Sequence, residues 1–230
     1  MIQPHMRMRG IAAVMLAAIF MSSAACSKSK DEPKEEPLPE GTILVNEKFD
    51  GTNSEVWATA VKGPVTYSIK DGWYSADIAI ADTYVTGAWA TKTYFQKGDK
   101  QNVEVIQKKT AGHEYDKAGL TFWFVNTKNY LSFQIGDKAF RVLQRLNDVE
   151  SNLITWTNSA AIKGNIGEQN KLKISLADAK ILFYINDVHV ATMNAGPVET
   201  LDKIGLRIDK LDFTPHSTYL YDNLRMWKSK

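Results

Sequence analysis

From Thr42 onward the sequence alternates apolar and polar residues with a period of two, and no stretch sustains the 3.6-residue period of a helix. Successive strand side chains point to opposite faces, so this pattern buries one face of each strand. The clearest case runs Gly119 to Val125, turns over 126–129, continues Tyr130 to Ile135, turns at Gly136-Asp137-Lys138 and resumes from Phe140 to Leu146. In this meander the period places Leu120, Phe122 and Phe124 inward with Leu131, Phe133 and Ile135. It places Thr121, Trp123, Tyr130, Ser132 and Gln134 outward. With Phe140 and Val142 inward on the third strand, Arg141 and Arg145 join the outward set.

Asp71-Gly72, between Val65–Ile69 and Trp73–Ala79, is a hairpin signal, and Asn186-Asp187 joins Lys180–Ile185 to Val188–Thr192. About a dozen short strands at roughly 8–12-residue spacing predict one all-β sandwich or barrel over residues 42–230. The long segments around 80–102 and 147–169 lack this clean pattern and are expected to run over a sheet face.

The first forty residues read differently. Arg7 and Arg9 precede an apolar run from Ile11 to Met21, then Ser22-Ser23-Ala24-Ala25. This is the order of a secretory signal over residues 1–25, and the run is too short to span a bilayer, which needs about 20 residues. Ser23-Ala24-Ala25-Cys26 resembles the lipobox of bacterial lipoproteins, with Ser23 where Leu is usual. The resemblance implies diacylation of Cys26, the single cysteine of the chain, as a membrane anchor. Residues 26–41 then form a charged, Pro-rich, unfolded tether reaching up to roughly 40 Å at about 3.1 Å per residue. No acid directly follows Cys26, so the expected location is the cell envelope, at the outer membrane or cell surface. Without residues 1–25 the 28 basic residues become 26 against 26 acidic ones. That balance argues against nucleic acid as a partner, since phosphate binding draws on clustered Lys and Arg.

An ordered set of segments extends across the strand-rich part: Asn46-Glu-Lys-Phe49-Asp50-Gly51, Asp71-Gly72-Trp73, Ala118-Gly119-Leu120-Thr-Phe122, Asn129-Tyr130-Leu-Ser-Phe133, Tyr184-Ile-Asn186-Asp187, Ile204-Gly205-Leu206 and Tyr221-Asp222-Asn223-Leu224. This set resembles the concanavalin A-like lectin/glucanase superfamily, including laminin G-like and 3-keto-disaccharide hydrolase-type domains. The resemblance implies a jelly-roll sandwich of two antiparallel sheets, with a concave face or its rim as the binding surface. It also implies a structural Ca²⁺ tying the N-terminal segment to the last strand. Asp222 would be its side-chain ligand, with Glu47 or Asp50 and backbone oxygens near Asp71-Gly72 completing the six to eight that Ca²⁺ takes.

Enzymes of that superfamily carry Glu-x-Asp-x-(x)-Glu on one strand, which this sequence lacks. Glu114-x-Asp116 and Asp148-x-Glu150 are the nearest pairs, and both read as solvated loop charges. The histidines have no partners at zinc spacing, and no phosphate loop or nucleophile elbow appears. The outward set Trp123, Tyr130, Ser132, Gln134, Arg141 and Arg145 combines flat rings with guanidinium and amide groups, which suit sugar faces and hydroxyls. Trp73, Trp89 and Trp156 are placed at its rim, and Trp57 and Trp227 in the core or at an edge. Three functions fit: a non-catalytic glycan-binding domain, a glycoside hydrolase or lyase of the 3-keto-disaccharide type, or a scaffold for an envelope protein.

Overall fold

The computed structural model describes residues 37–230. The predicted signal segment and Cys26 lie outside the described residues. Among those described there is no α-helix; the strands are β1 (Thr42–Glu47), β2 (Ala60–Lys62), β3 (Val65–Lys70), β4 (Trp73–Ala79), β5 (Tyr84–Trp89), β6 (Lys100–Ala111), β7 (Lys117–Asn126), β8 (Asn129–Ile135), β9 (Ala139–Leu146), β10 (Val149–Asn158), β11 (Gln169–Ala177), β12 (Lys180–Ile185), β13 (Val188–Asn194), β14 (Gly205–Lys210) and β15 (His216–Ser229).

They form two antiparallel sheets. One runs β13-β12-β11-β6-β15-β4-β3-β2, with β1 also paired to β15, and the other runs β10-β9-β8-β7-β14-β5. Between them lies one apolar core, to which the nine-stranded sheet contributes Val105, Ile174, Phe183 and Tyr221 and the six-stranded sheet Leu120, Phe133, Val142 and Ile208. The predicted all-β sandwich is the fold observed. The hairpins close where turn chemistry demands: Asp71 and Gly72 both have positive φ, as do Asn186 and Asp187.

Residues 80–102 and 147–169 do not simply cover a sheet. They supply β5 and β10, the two edge strands of the six-stranded sheet. Edge strands pair on one side only, and β10 exposes nearly all its residues, which is why its alternation is blurred in sequence.

β15 is the longest strand and changes partner midway. His216–Tyr221 pairs β4, whereas Leu224–Lys228 pairs β1. The switch falls at Asp222-Asn223, where the register with β6 shifts and Asn223 takes φ of 51°.

In β7, Phe122 is opposite Leu131 and Asn126 is opposite Asn129, so Trp123, Phe124 and Val125 stand against Tyr130 alone. Trp123 adopts φ of 48°, a left-handed conformation that makes a bulge. Alternation is broken there. Trp123, expected outward, packs against the main core next to Phe122, and Phe124, expected inward, emerges on the opposite face.

Candidate functional site

The outer face of the six-stranded sheet is built in rows across the strands. One row reads Gly87, Arg207, Gly119, Gln134 and Arg141 from β5 to β9. The next contains Trp89, Gly205, Thr121, Ser132 and Leu143. The glycines are required by close strand approach: a Cβ on Gly119 would lie 1.9 Å from the Phe133 carbonyl oxygen, and one on Gly205 2.3 Å from that of Ala88. Bare backbone on both sides of Arg207 lets its side chain lie along the sheet.

Aromatic side chains form one end of the face. Trp89 stacks on Phe124 at 4.4 Å between ring centroids, Phe124 stacks on Tyr130 at 6.0 Å, and Leu143 packs beneath them. The Lys62 ammonium lies 5.7 Å from the Trp89 ring.

The middle is a charge network. Arg207 donates from Nε to Asp209 Oδ1 (2.6 Å), from Nη1 to Glu150 Oε1 (2.9 Å) and Tyr130 Oη (2.7 Å), and from Nη2 to Glu150 Oε2 (3.2 Å) and Asp209 Oδ2 (3.3 Å). Arg141 donates from Nη2 to Asp209 Oδ2 (2.8 Å) and from Nε to Gln134 Oε1 (2.9 Å). Arg145 reaches Glu150 and Asp148. Burial alone would lower the Arg207 pKa, but Asp209 and Glu150 outweigh it and hold the guanidinium more firmly charged than usual. Burial likewise opposes ionisation of Glu150, yet its hydrogen bonds and charge pairing with Arg207 and Arg145 hold the carboxyl below its ordinary value.

At the far end Trp156 crosses from β10 over Gly136, whose Cα would carry a Cβ 3.8 Å from the indole. Arg141 and Lys117 lie 4.9 and 5.1 Å from its ring centroid, and the residue keeps 36% of its surface exposed.

The six residues expected to bind ligand are thus not equally placed. Tyr130, Ser132, Gln134, Arg141 and Arg145 share the outer face, but Ser132 and Gln134 are fully buried within its side-chain layer. Trp123 is turned to the core by the bulge. Trp89 and Trp156 lie on the face, while Trp73 stacks under Lys108 on the nine-stranded sheet and Trp57 is fully buried in the core. Lys117, Phe124, Leu143, Arg207 and Asp209 were missed. Arg207-Ile208-Asp209 carries a readable signal, since two charges flanking a core isoleucine in a strand must share one face. Of the acidic pairs, Glu114 and Asp148 are exposed turn charges as expected, whereas Glu150 is bound by two guanidinium groups and Asp116, 1% exposed, accepts the amide N–H groups of His113 and Leu211.

At the opposite sheet, Asp222 sits at the partner switch of β15. Burial and then the negative charge of Asp50, working against the Asn223 amide hydrogen bond, push its carboxyl up to about 6. Asp50 also stands over the β3–β4 turn, with its Oδ1 3.7 Å from where a Cβ on Gly72 would be. Glu47 is committed elsewhere, accepting from the Phe49 amide (2.9 Å) and the Ser54 hydroxyl (2.8 Å). Among the described residues no group of three or more His, Cys, Asp or Glu side chains is arranged to hold a metal. A cation here would therefore draw on Asp222, Asp50 and backbone oxygens, a donor set that fits Ca²⁺ rather than zinc.

No family model matches the sequence, and no curated protein is similar to it. Solved structures are similar in fold. The β-glucanase of Bacillus licheniformis superposes with a TM-score of 0.59 at 12% identity, covering 84% of this chain and 100% of that one. The fold is a jelly roll of the glucanase and carbohydrate-binding-module type. A carbohydrate-binding module from Bacillus subtilis gives a TM-score of 0.51 at 13% identity over 83% of this chain and 98% of that one. A Bacillus subtilis protein of unknown function with a galectin-like fold gives 0.57 at 13% identity over 83% and 97%.

Proposed function

We propose that this chain is a non-catalytic carbohydrate-binding domain held at the cell envelope by a lipid on Cys26, with the outer face of the six-stranded sheet as its binding surface. The observation that carries the reading is the arrangement of that face: partly exposed Trp89 and Trp156 at its two ends, with Arg141, Arg145 and Arg207 between. Rings stack on the C–H faces of sugars, and the guanidinium N–H groups donate to sugar oxygens. The jelly-roll likeness to a carbohydrate-binding module and a glucanase supports a sugar ligand.

Binding is favoured over cleavage by the state of the carboxylates. A glycosidase needs one carboxyl protonated and one free to attack or to activate water. Here Asp209 and Glu150 both present their oxygens to guanidinium groups, and Glu150 is held toward its ionised form. Ca²⁺ at Asp222 and Asp50 would have a structural role, pinning the N-terminal segment to β15.

The test is a glycan array with the full chain in detergent, alongside Trp156→Ala, Trp89→Ala and the core variant Trp123→Ala. Binding lost in the first two and kept in the third supports the reading. A folded protein that binds no glycan but captures an envelope protein would replace it with the scaffold role. Labelled palmitate incorporated by the parent and not by Cys26→Ser tests the anchor.

A further inference from the structure

The polar groups of the outer face are unevenly satisfied. Its carboxylate and amide oxygens are taken: both oxygens of Asp209, of Glu150 and of Asp148, and that of Gln134, receive N–H groups. The buried side-chain atoms of this face that lack a partner are donors. Gln134 is fully buried, and its Nε2 has no hydrogen-bond partner among the described residues. Its orientation is set by Arg141 Nε, which can only donate and so needs Oε1, leaving the amide N–H₂ pointing away from Arg141. Arg145 Nε is likewise buried without a partner. Lys117 makes no ion pair among the described residues and instead lies against the Trp156 indole beside Arg141.

A buried donor without an acceptor is destabilising. Two cations against one ring repel each other, and burial followed by the charge of Arg141 lowers the Lys117 pKa against the opposing pull of Asp209 and Asp116. A negatively charged, acceptor-only group entering beside Trp156 would offset the repulsion between Lys117 and Arg141, whereas a neutral hydroxyl would not. We infer that the face selects acidic glycans, the anionic substituent of a sugar (a uronate carboxylate or a sulfate ester) being taken by Lys117 and Arg141 beside Trp156. The inference rests on the carbohydrate-binding reading and adds the class of sugar.

The experiment measures the affinity of the full chain for three oligosaccharides: a galacturonate oligomer, the same oligomer reduced to neutral galactose, and a sulfated galactose oligomer. The expected result is at least about a tenfold preference for one or both acidic forms, as one charge-assisted bond provides. Lys117→Gln should lose that preference, Lys117→Arg should keep it, and unchanged melting temperatures show that the fold is intact. Equal affinity for neutral and acidic oligomers, unaltered in Lys117→Gln, overturns the inference and leaves carbohydrate binding standing. No binding of any oligosaccharide by the folded chain overturns both.

Discussion

Replacing Arg207 with Met tests whether the charge network is a structural element of the sheet. Met has similar length and no charge, so the change leaves little void. It removes five hydrogen bonds, to Asp209, Glu150 and Tyr130, around a residue only 4% exposed. Asp209, 3% exposed, would retain Arg141 alone, and Glu150 would retain Arg145. Breaking a buried ion pair from one side costs about 3–5 kcal/mol, because it strands a charge rather than because the pair itself is so favourable. For a domain of this size that is a fall in melting temperature of roughly 10 °C. Urea denaturation followed by tryptophan fluorescence would read it as a lower midpoint at unchanged slope. The double variant Arg207→Met, Glu150→Gln removes the carboxylate left in excess, leaving Asp209 with Arg141 and Arg145 with Asp148, and should recover part of the loss. A single-variant cost below about 1 kcal/mol, or a double variant no more stable than the single, would refute the reasoning.

Trp123→Ala should lower stability by about 2 kcal/mol through lost core packing, measured by urea denaturation, and leave glycan binding unchanged. Gly119→Ala should cost more than about 3 kcal/mol or prevent folding, since its Cβ would meet a backbone oxygen at 1.9 Å; solubility and circular dichroism decide it. Ca²⁺ at about 10 mM, well above typical extracellular-module dissociation constants, should raise the melting temperature of the parent and not of Asp222→Asn; a parent curve that Ca²⁺ does not move would remove calcium from the account. Glu150 is held below its ordinary carboxyl value, so its contribution is present above that value and is lost as pH falls through the folded one. Glu150→Gln should therefore lose less stability than the parent between about pH 5 and pH 3, by under about 1 kcal/mol because the group is partly exposed.

The sandwich was legible because nearly every inward residue of β7, β8, β9, β11 and β12 obeys the two-residue period. The edge strands β5 and β10 were not, since a strand paired on one side and open to solvent needs no apolar alternation. Trp123 misled for another reason. Nothing in Phe122-Trp123-Phe124 announces a left-handed residue, and the assumption of unbroken alternation put both aromatics on the wrong faces. Arg207 and Glu150 were invisible as a pair because they are 57 residues apart and meet only when β14 and β10 are folded into the same sheet. Asp222 was singled out through its place in the closing motif, and the structure puts it where β15 exchanges β4 for β1.

The bulge in β7 also means that the aromatic end of the face is written in the backbone more than in side-chain identity. Without the left-handed turn at Trp123, the same three residues would show solvent an indole and withdraw Phe124, dismantling the stack on Trp89 and Tyr130. Two relatives with the same hydrophobic spelling could therefore present different surfaces, one with a continuous ring platform and one without. Divergence of specificity on this scaffold can proceed by shifting a strand's phase, a change that leaves composition untouched and that position-by-position comparison of sequences does not register.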